Sequence, residues 1–107
     1  MKRDEVLRIL AAHRDELRRE YGVKSLALFG SVARNEATDA SDVDVLVEFE
    51  QPVSLFGLID VQLHLQELLG VPKVEVVMRD AIYPAIRDDI LNEAIGLDAR
   101  NAEHPRA

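Results

Sequence analysis

Asp42 and Asp44, one residue apart, are the side chains in this sequence best placed to do chemistry. If the Val-rich run Val43–Phe49 is a strand, alternate side chains leave the same face. The two carboxylates then project together, about 6.6 Å apart along the chain, while Val43 and Val45 pack beneath them. Carboxylates roughly 6 Å apart repel by about 3 kcal/mol at an effective dielectric of about 20. A bound cation reverses that cost. Hard oxygen ligands select Mg²⁺ or Mn²⁺, and Mg²⁺ commonly takes one or two carboxylates and fills its other positions with water and substrate phosphates. Taken alone, Asp-x-Asp describes equally well two solvated aspartates at the start of a strand. Gly30 and Ser31 narrow the choice. A glycine at a strand end lets another group come close to the backbone, and a serine opening the next helix offers a hydroxyl and an amide to an anion. Gly-Ser, ten residues and Asp-x-Asp together describe a pocket for phosphates beside a site for a divalent cation.

The elements that must position these residues are legible from periodicity. Val6, Leu10, His13 and Leu17 recur at spacings of four, three and four, which predicts one amphipathic helix ending near Gly22, with His13 packed or half-buried on its apolar stripe. Ser25–Phe29 reads as a buried strand closed by Gly30, and Ser31–Glu36 as a short helix with Asn35 tolerating the left-handed conformation near its end. A polar turn at 38–41 leads into the strand Val43–Phe49. Pro52 ends that strand, and Leu55, Leu58, Ile59, Gln62, Leu63, Gln66 and Leu69 mark a helix stopped by Gly70 and Pro72. The same spacing leaves open whether this helix faces a core or a second protomer. Val74–Met78 is a third strand, and Ile82, Ile86, Ile90, Leu91 and Ile95 outline a last helix. The order predicts an α/β (α+β) fold, a small mixed sheet with helices mainly on one face. One domain is expected over residues 1–97, with a polar, frayed tail at 98–107.

Composition sets the outer limits. With 107 residues and 48% apolar character the chain suits a single core, and the absence of Cys excludes disulfide scaffolds, thiolate zinc sites and Cys nucleophiles. The first residues carry mixed charge rather than the apolar stretch of a signal peptide, and no apolar run reaches the roughly 18–20 residues needed to cross a bilayer. A soluble cytoplasmic protein is expected. Thirteen basic against twenty acidic side chains, net −7, count against direct nucleic-acid binding. Residues 41–107 hold five basic and thirteen acidic side chains, a field that draws divalent cations or a basic partner protein. Among the remaining candidates, Arg34 comes after the phosphate loop and either reaches a phosphate or pairs with an acidic neighbour. Arg79 and Arg87 suit a solvated face or local ion pairs. Tyr83, beside Pro84, suits packing at a turn or a helix start, and His64 suits the surface.

The run Phe29-Gly30-Ser31-Val32-Ala33-Arg34, with Ser41-Asp42-Val43-Asp44 after it, resembles the signature of the minimal nucleotidyltransferases, members of the DNA polymerase β-like nucleotidyltransferase superfamily. The resemblance extends from the first helix to Ile90-Leu91-Asn92-Glu93-Ala94. It implies a polymerase β palm-like core in which Gly30 and Ser31, with Arg34 beside them, bind the triphosphate of ATP, and Asp42 and Asp44 bind Mg²⁺. Family members add a third acidic residue on a neighbouring strand. The matching position is Glu75, a glutamate where the family usually has aspartate, set among Val74, Val76 and Val77. A carboxylate on so apolar a strand suggests a purpose if it is buried, because an unpaired buried charge is costly. An outward-facing or edge position is the other reading. The resemblance further implies an antitoxin of a HEPN/MNT pair that transfers AMP to a tyrosine of its HEPN toxin. The length of the sequence leads to the expectation that its acceptor is presented by another molecule. The alternative is an antitoxin that neutralises its partner by binding alone, its site weakened by Glu75.

Overall fold

The computed structural model describes residues 2–36 and 42–96; the polar turn expected at 38–41 and the tail at 98–107 lie outside the described residues. The chain runs α1 (Arg3–Ala12), α2 (Arg14–Tyr21), β1 (Val23–Phe29), α3 (Gly30–Ala33), β2 (Val43–Phe49), α4 (Leu55–Leu69) and β3 (Val74–Met78). A 3₁₀ turn (Arg79–Ala81), α5 (Pro84–Glu93) and β4 (Ile95–Gly96) complete it. The four strands form one mixed sheet in the order β3-β2-β1-β4. β1 is antiparallel to both β2 and β4, whereas β2 and β3 are parallel and joined through α4.

The strand period of two sorts the sheet into two faces. Leu26, Leu28, Val43, Val45, Val47, Val74 and Val76 line one face, and Val6, Leu7, Leu10, Leu17, Val61, Leu65 and Leu69 of α1, α2 and α4 close over it. Leu28 and Val45 are wholly buried at the centre, so truncating Leu28 to Ala costs about 2–5 kcal/mol. The other face carries Phe29, Asp44, Leu46, Glu75 and Val77, which the register sets side by side: Phe29 opposite Asp44, and Asp44 opposite Glu75. The 3₁₀ turn and α5 stand over this second face, so helices cover mainly, but not solely, one side.

Local signals explain the sharpest boundaries. α4 starts where the Ser54 hydroxyl accepts the Gly57 amide at 3.2 Å, and stops at Gly70, whose φ of 67° suits a residue without Cβ. Its inner face also carries Gln62 and Gln66, which bond the carbonyl and amide of Val74 at 2.9 and 3.1 Å and so tie down the start of the edge strand β3. Its outer face leaves Leu55, Phe56, Ile59 and Leu63 exposed, Phe56 at 79%. α4 thus faces the core along one side only.

Three expectations need correction. The first amphipathic segment is two helices, broken at His13, whose Nδ1 lies 2.9 Å from the Ile9 carbonyl and competes with the helical ladder there. His13 is half-buried, as expected. The last helix is shorter than its isoleucine pattern: Ile82 precedes it, extended backbone at Ala94 ends it, and Ile95 pairs with Leu28 in β4. His64 is not a surface residue. Its Nε2 lies 2.6 Å from Glu16 Oε1 and its ring stacks on Tyr21 with centroids 4.9 Å apart, which clamps α4 to α2.

Candidate active site

Asp44 sits on β2, the central partner of β1 and β3, and is half-buried. Burial pushes its carboxyl above the usual carboxylate range, and the charges of Glu75, Asp42 and Glu93 push it further; Arg34 pulls the other way. Asp44 therefore lies in the field of three other carboxylates. Glu75 lies across from Asp44 on the edge strand, and Asp42 stands immediately before β2.

Gly30 is pressed against this cluster. Its φ is 78°, and a Cβ built there would run into Asp44 Oδ2 while lying 3.0 Å from Cγ and 3.2 Å from Cβ of the same side chain. Only glycine combines that backbone angle with that approach. The loop then tightens into the single turn of α3, with Ser31 half-exposed at its second position, and Asn35 at φ 60° takes the left-handed conformation expected of it. Arg34 does pair with acidic neighbours. Its Nε donates to Glu36 at 2.8 Å and its Nη1 to Glu93 at 2.8 Å, and these hydrogen bonds raise its pKa. The second oxygen of Glu93 accepts the Gly30 amide, also at 2.8 Å.

Between the sheet and α5 lies a cleft of ≈ 370 Å³ with Asp44 and Glu75 at its polar end and Phe29, Val77, Ile82, Ile86 and Ile90 as apolar walls. Tyr83 stands at the mouth, 77% exposed, so its expected packing is not observed; of the turn and the helix start expected at Pro84, the structure has the helix start of α5. Glu75 is exposed on the edge strand, which removes the argument that its burial demands a purpose. Its register against Asp44 and its place in the cleft remain. Lys73 reaches across the carboxylates, 3.8 Å from Asp42 and 3.3 Å from Glu75, as a resident positive charge among them.

The donor set suits a hard divalent cation. Among the described residues no three ligating side chains are gathered closely enough to cage an ion. The carboxylates instead fit a Mg²⁺ that takes one or two of them and draws its remaining ligands from water and phosphates. Sequence reasoning assigned no role to Lys73 or Glu93. Lys73 had a visible signal, being the one cation between Arg34 and Arg79. Glu93 had none, because the loop it touches is some sixty residues away.

With this geometry in view, the comparisons with known proteins agree on its class. A family model described as nucleotidyltransferase domain matches residues 10–97. The chain belongs to that family. It is a minimal nucleotidyltransferase: it aligns over 89% of its length, with 95% of the other chain, to a solved structure described as a minimal nucleotidyltransferase, at 37% identity and a TM-score of 0.73. It is also 40% identical over 92 residues to the protein adenylyltransferase MntA of Thermococcus cleftensis, covering 86% of this chain and 92% of that one. A Methanocaldococcus jannaschii protein named for the same activity is 40% identical over 85% of this chain and 93% of its own length. The crystal structure of a toxin–antitoxin pair, MntA–HpeT, shares the fold at a TM-score of 0.64 and 14% identity, covering 91% of this chain and 72% of that one. No helix among the described residues is long and apolar enough to cross a membrane.

Proposed function

We propose that this chain is a metal-dependent protein adenylyltransferase of the cytoplasm, transferring AMP from ATP to a tyrosine of a HEPN-family toxin and acting as its antitoxin. The observation that carries this reading is Gly30 held against Asp44, with Glu75 opposite, at the polar end of a cleft open to solvent. The activity named for relatives at 40% identity over 92 residues supports the choice of substrate.

Asp42 and Asp44, with Glu75 adjoining, would hold Mg²⁺, or Mn²⁺ in its place. When bound, such an ion neutralises triphosphate charge and orients the α-phosphate for in-line displacement. The Gly30 amide, the Ser31 hydroxyl and the Arg34 guanidinium bind the phosphate oxygens. The apolar walls of the cleft take the flank of an aromatic acceptor and exclude water from it. The tyrosine oxygen bonds to the α-phosphorus as the bridging oxygen to the β-phosphate departs with the electron pair, giving pyrophosphate. Glu75, exposed at the cleft edge, accepts the hydroxyl proton. The partner must reach this cleft past Tyr83 and Ile86, both exposed at the start of α5. Net charge −7 favours a basic protein there over nucleic acid.

Transfer of α-labelled ATP onto the co-expressed toxin in Mg²⁺ tests the reading. Label should appear on the toxin and vanish with Asp42→Ala/Asp44→Ala. The exposed, Lys73-paired state of Glu75 favours one second reading, neutralisation by binding alone. Absence of label, with the toxin suppressed equally by wild type and double mutant, would select it.

A further inference from the structure

The anion contacts of this site are already occupied by an anion. Glu93, the last residue of α5, places Oε1 2.8 Å from the Gly30 amide and Oε2 2.8 Å from Arg34 Nη1. Those are two of the donors assigned above to nucleotide phosphate. A carboxylate and a phosphate are interchangeable acceptors for an amide and a guanidinium, and the single N–H of Gly30 cannot serve both at full strength. The helix that carries Glu93 is lightly held. None of its side chains is fully buried, Tyr83 and Ile86 beside the cleft are exposed, and among the described residues the strand after it pairs through only Ile95 and Gly96.

We infer that Glu93 is a resident competitor of nucleotide phosphate: its carboxylate closes the Gly30–Arg34 loop in the nucleotide-free protein, and the triphosphate displaces it, releasing the end of α5. This rests on the proposed function and deepens it, because α5 is also one wall of the cleft into which the acceptor must enter. Nucleotide then binds first and loosens the wall, and the acceptor enters second, so that an empty enzyme does not hold its partner's tyrosine unproductively.

Calorimetric titration of the full chain with ATP, and separately with inorganic tripolyphosphate, both in Mg²⁺, tests the inference in wild type and Glu93→Gln. Glutamine keeps an acceptor for the Gly30 amide and removes the charge from Arg34. Losing a charged competitor should tighten both ligands at least ~tenfold, the smaller end of what a charge-assisted hydrogen bond contributes. Equal or weaker binding by a variant with the wild-type thermal midpoint overturns the inference and leaves Glu93 as a residue that merely positions the loop. A second measurement leaves Glu93 in place. The chain has no Cys, so spin labels at Lys24→Cys on β1 and Asp89→Cys on α5, both exposed, report the separation of the helix from the sheet. ATP with Mg²⁺ should lengthen that distance; an unchanged or shorter one overturns the inference. ATP bound by wild type without either effect overturns it alone, whereas no ATP binding by wild type or Glu93→Gln overturns the nucleotide site with it.

Discussion

Gly30→Ala separates two costs that usually arrive together. Three glycines have φ between 67° and 78°: Gly22, Gly30 and Gly70. A Cβ at Gly22 or Gly70 would meet nothing within 4 Å, so alanine at those sites incurs only the left-handed backbone penalty, about 1 kcal/mol. At Gly30 the same penalty applies, and the Cβ also meets Asp44 at Oδ2, Cγ and Cβ. Rotating the carboxylate relieves the first contact but not the other two, so the strand or the loop must shift, a cost of roughly 1–3 kcal/mol for overpacking. Gly30→Ala should therefore lose about 3 kcal/mol, or roughly 10–25 °C in thermal midpoint for a domain of this size, while Gly22→Ala and Gly70→Ala each lose a third of that. Urea and thermal denaturation monitored by circular dichroism measure all three. Adenylyl transfer assayed below the lowered midpoint should also be lost in Gly30→Ala and kept in the two controls. If Gly30→Ala proves no worse than Gly70→Ala in stability, the close approach to Asp44 is not what requires glycine, and the site geometry on which the function rests is wrong.

The same contacts set other outcomes. The folded protein holds the Asp44 proton more tightly than the unfolded chain does, so stability should fall as pH rises from about the ordinary carboxyl value of 3.8 through the higher folded pKa. Asp44→Asn should flatten that part of the stability–pH profile, raise the midpoint at neutral pH and abolish transfer; a midpoint unchanged or lowered at neutral pH would contradict the crowding of charge at Asp44. Mg²⁺ should raise the thermal midpoint of wild type and have little effect on Asp42→Asn/Asp44→Asn, as scanning calorimetry would show. Removing Lys73 with Lys73→Met takes a cation from between Asp42 and Glu75, so calorimetric Mg²⁺ affinity should increase, and a decrease would mean that the ammonium assists the site. Gln62→Leu/Gln66→Leu strips both partners from the Val74 backbone and should cost about 2 kcal/mol in urea denaturation, with hydrogen exchange rising first at β3.

The features legible from residues alone had local causes. β2, α4 and β3 match their expected limits because Val43, Val45 and Val47 alternate with other residues along one strand, and because Pro52, Gly70 and Pro72 mark the ends of β2 and α4. Asp42 and Asp44 were legible as a candidate pair because they stand two residues apart at the start of one strand, whereas Gly30 comes beside Asp44 through the pairing of Phe29 with Asp44. The parts not legible depend on distant pairs. Nothing near Ile95 shows that it will pair with Leu28, and its fit to a helical repeat points the other way. Glu93 gains its meaning only because β4 returns the chain to the end of β1. Burial of Glu75 was one expectation from its apolar neighbours, but edge position comes from strand order, which periodicity does not contain.

The order of elements also governs how the protein is made. Every helix and strand of the principal core, from α1 to β3, is complete by Met78, whereas the α5–β4 segment that touches the site ends only at Gly96. At ~5–20 residues per second on the ribosome, synthesis of residues 79–96 takes roughly 1–4 s after Met78. Glu93 is thus synthesised after Gly30, Asp42, Asp44 and Glu75. During that interval the free edge of β1 at Ala27 and Leu28 is bare, and β4 is the cap that ends its exposure to other chains.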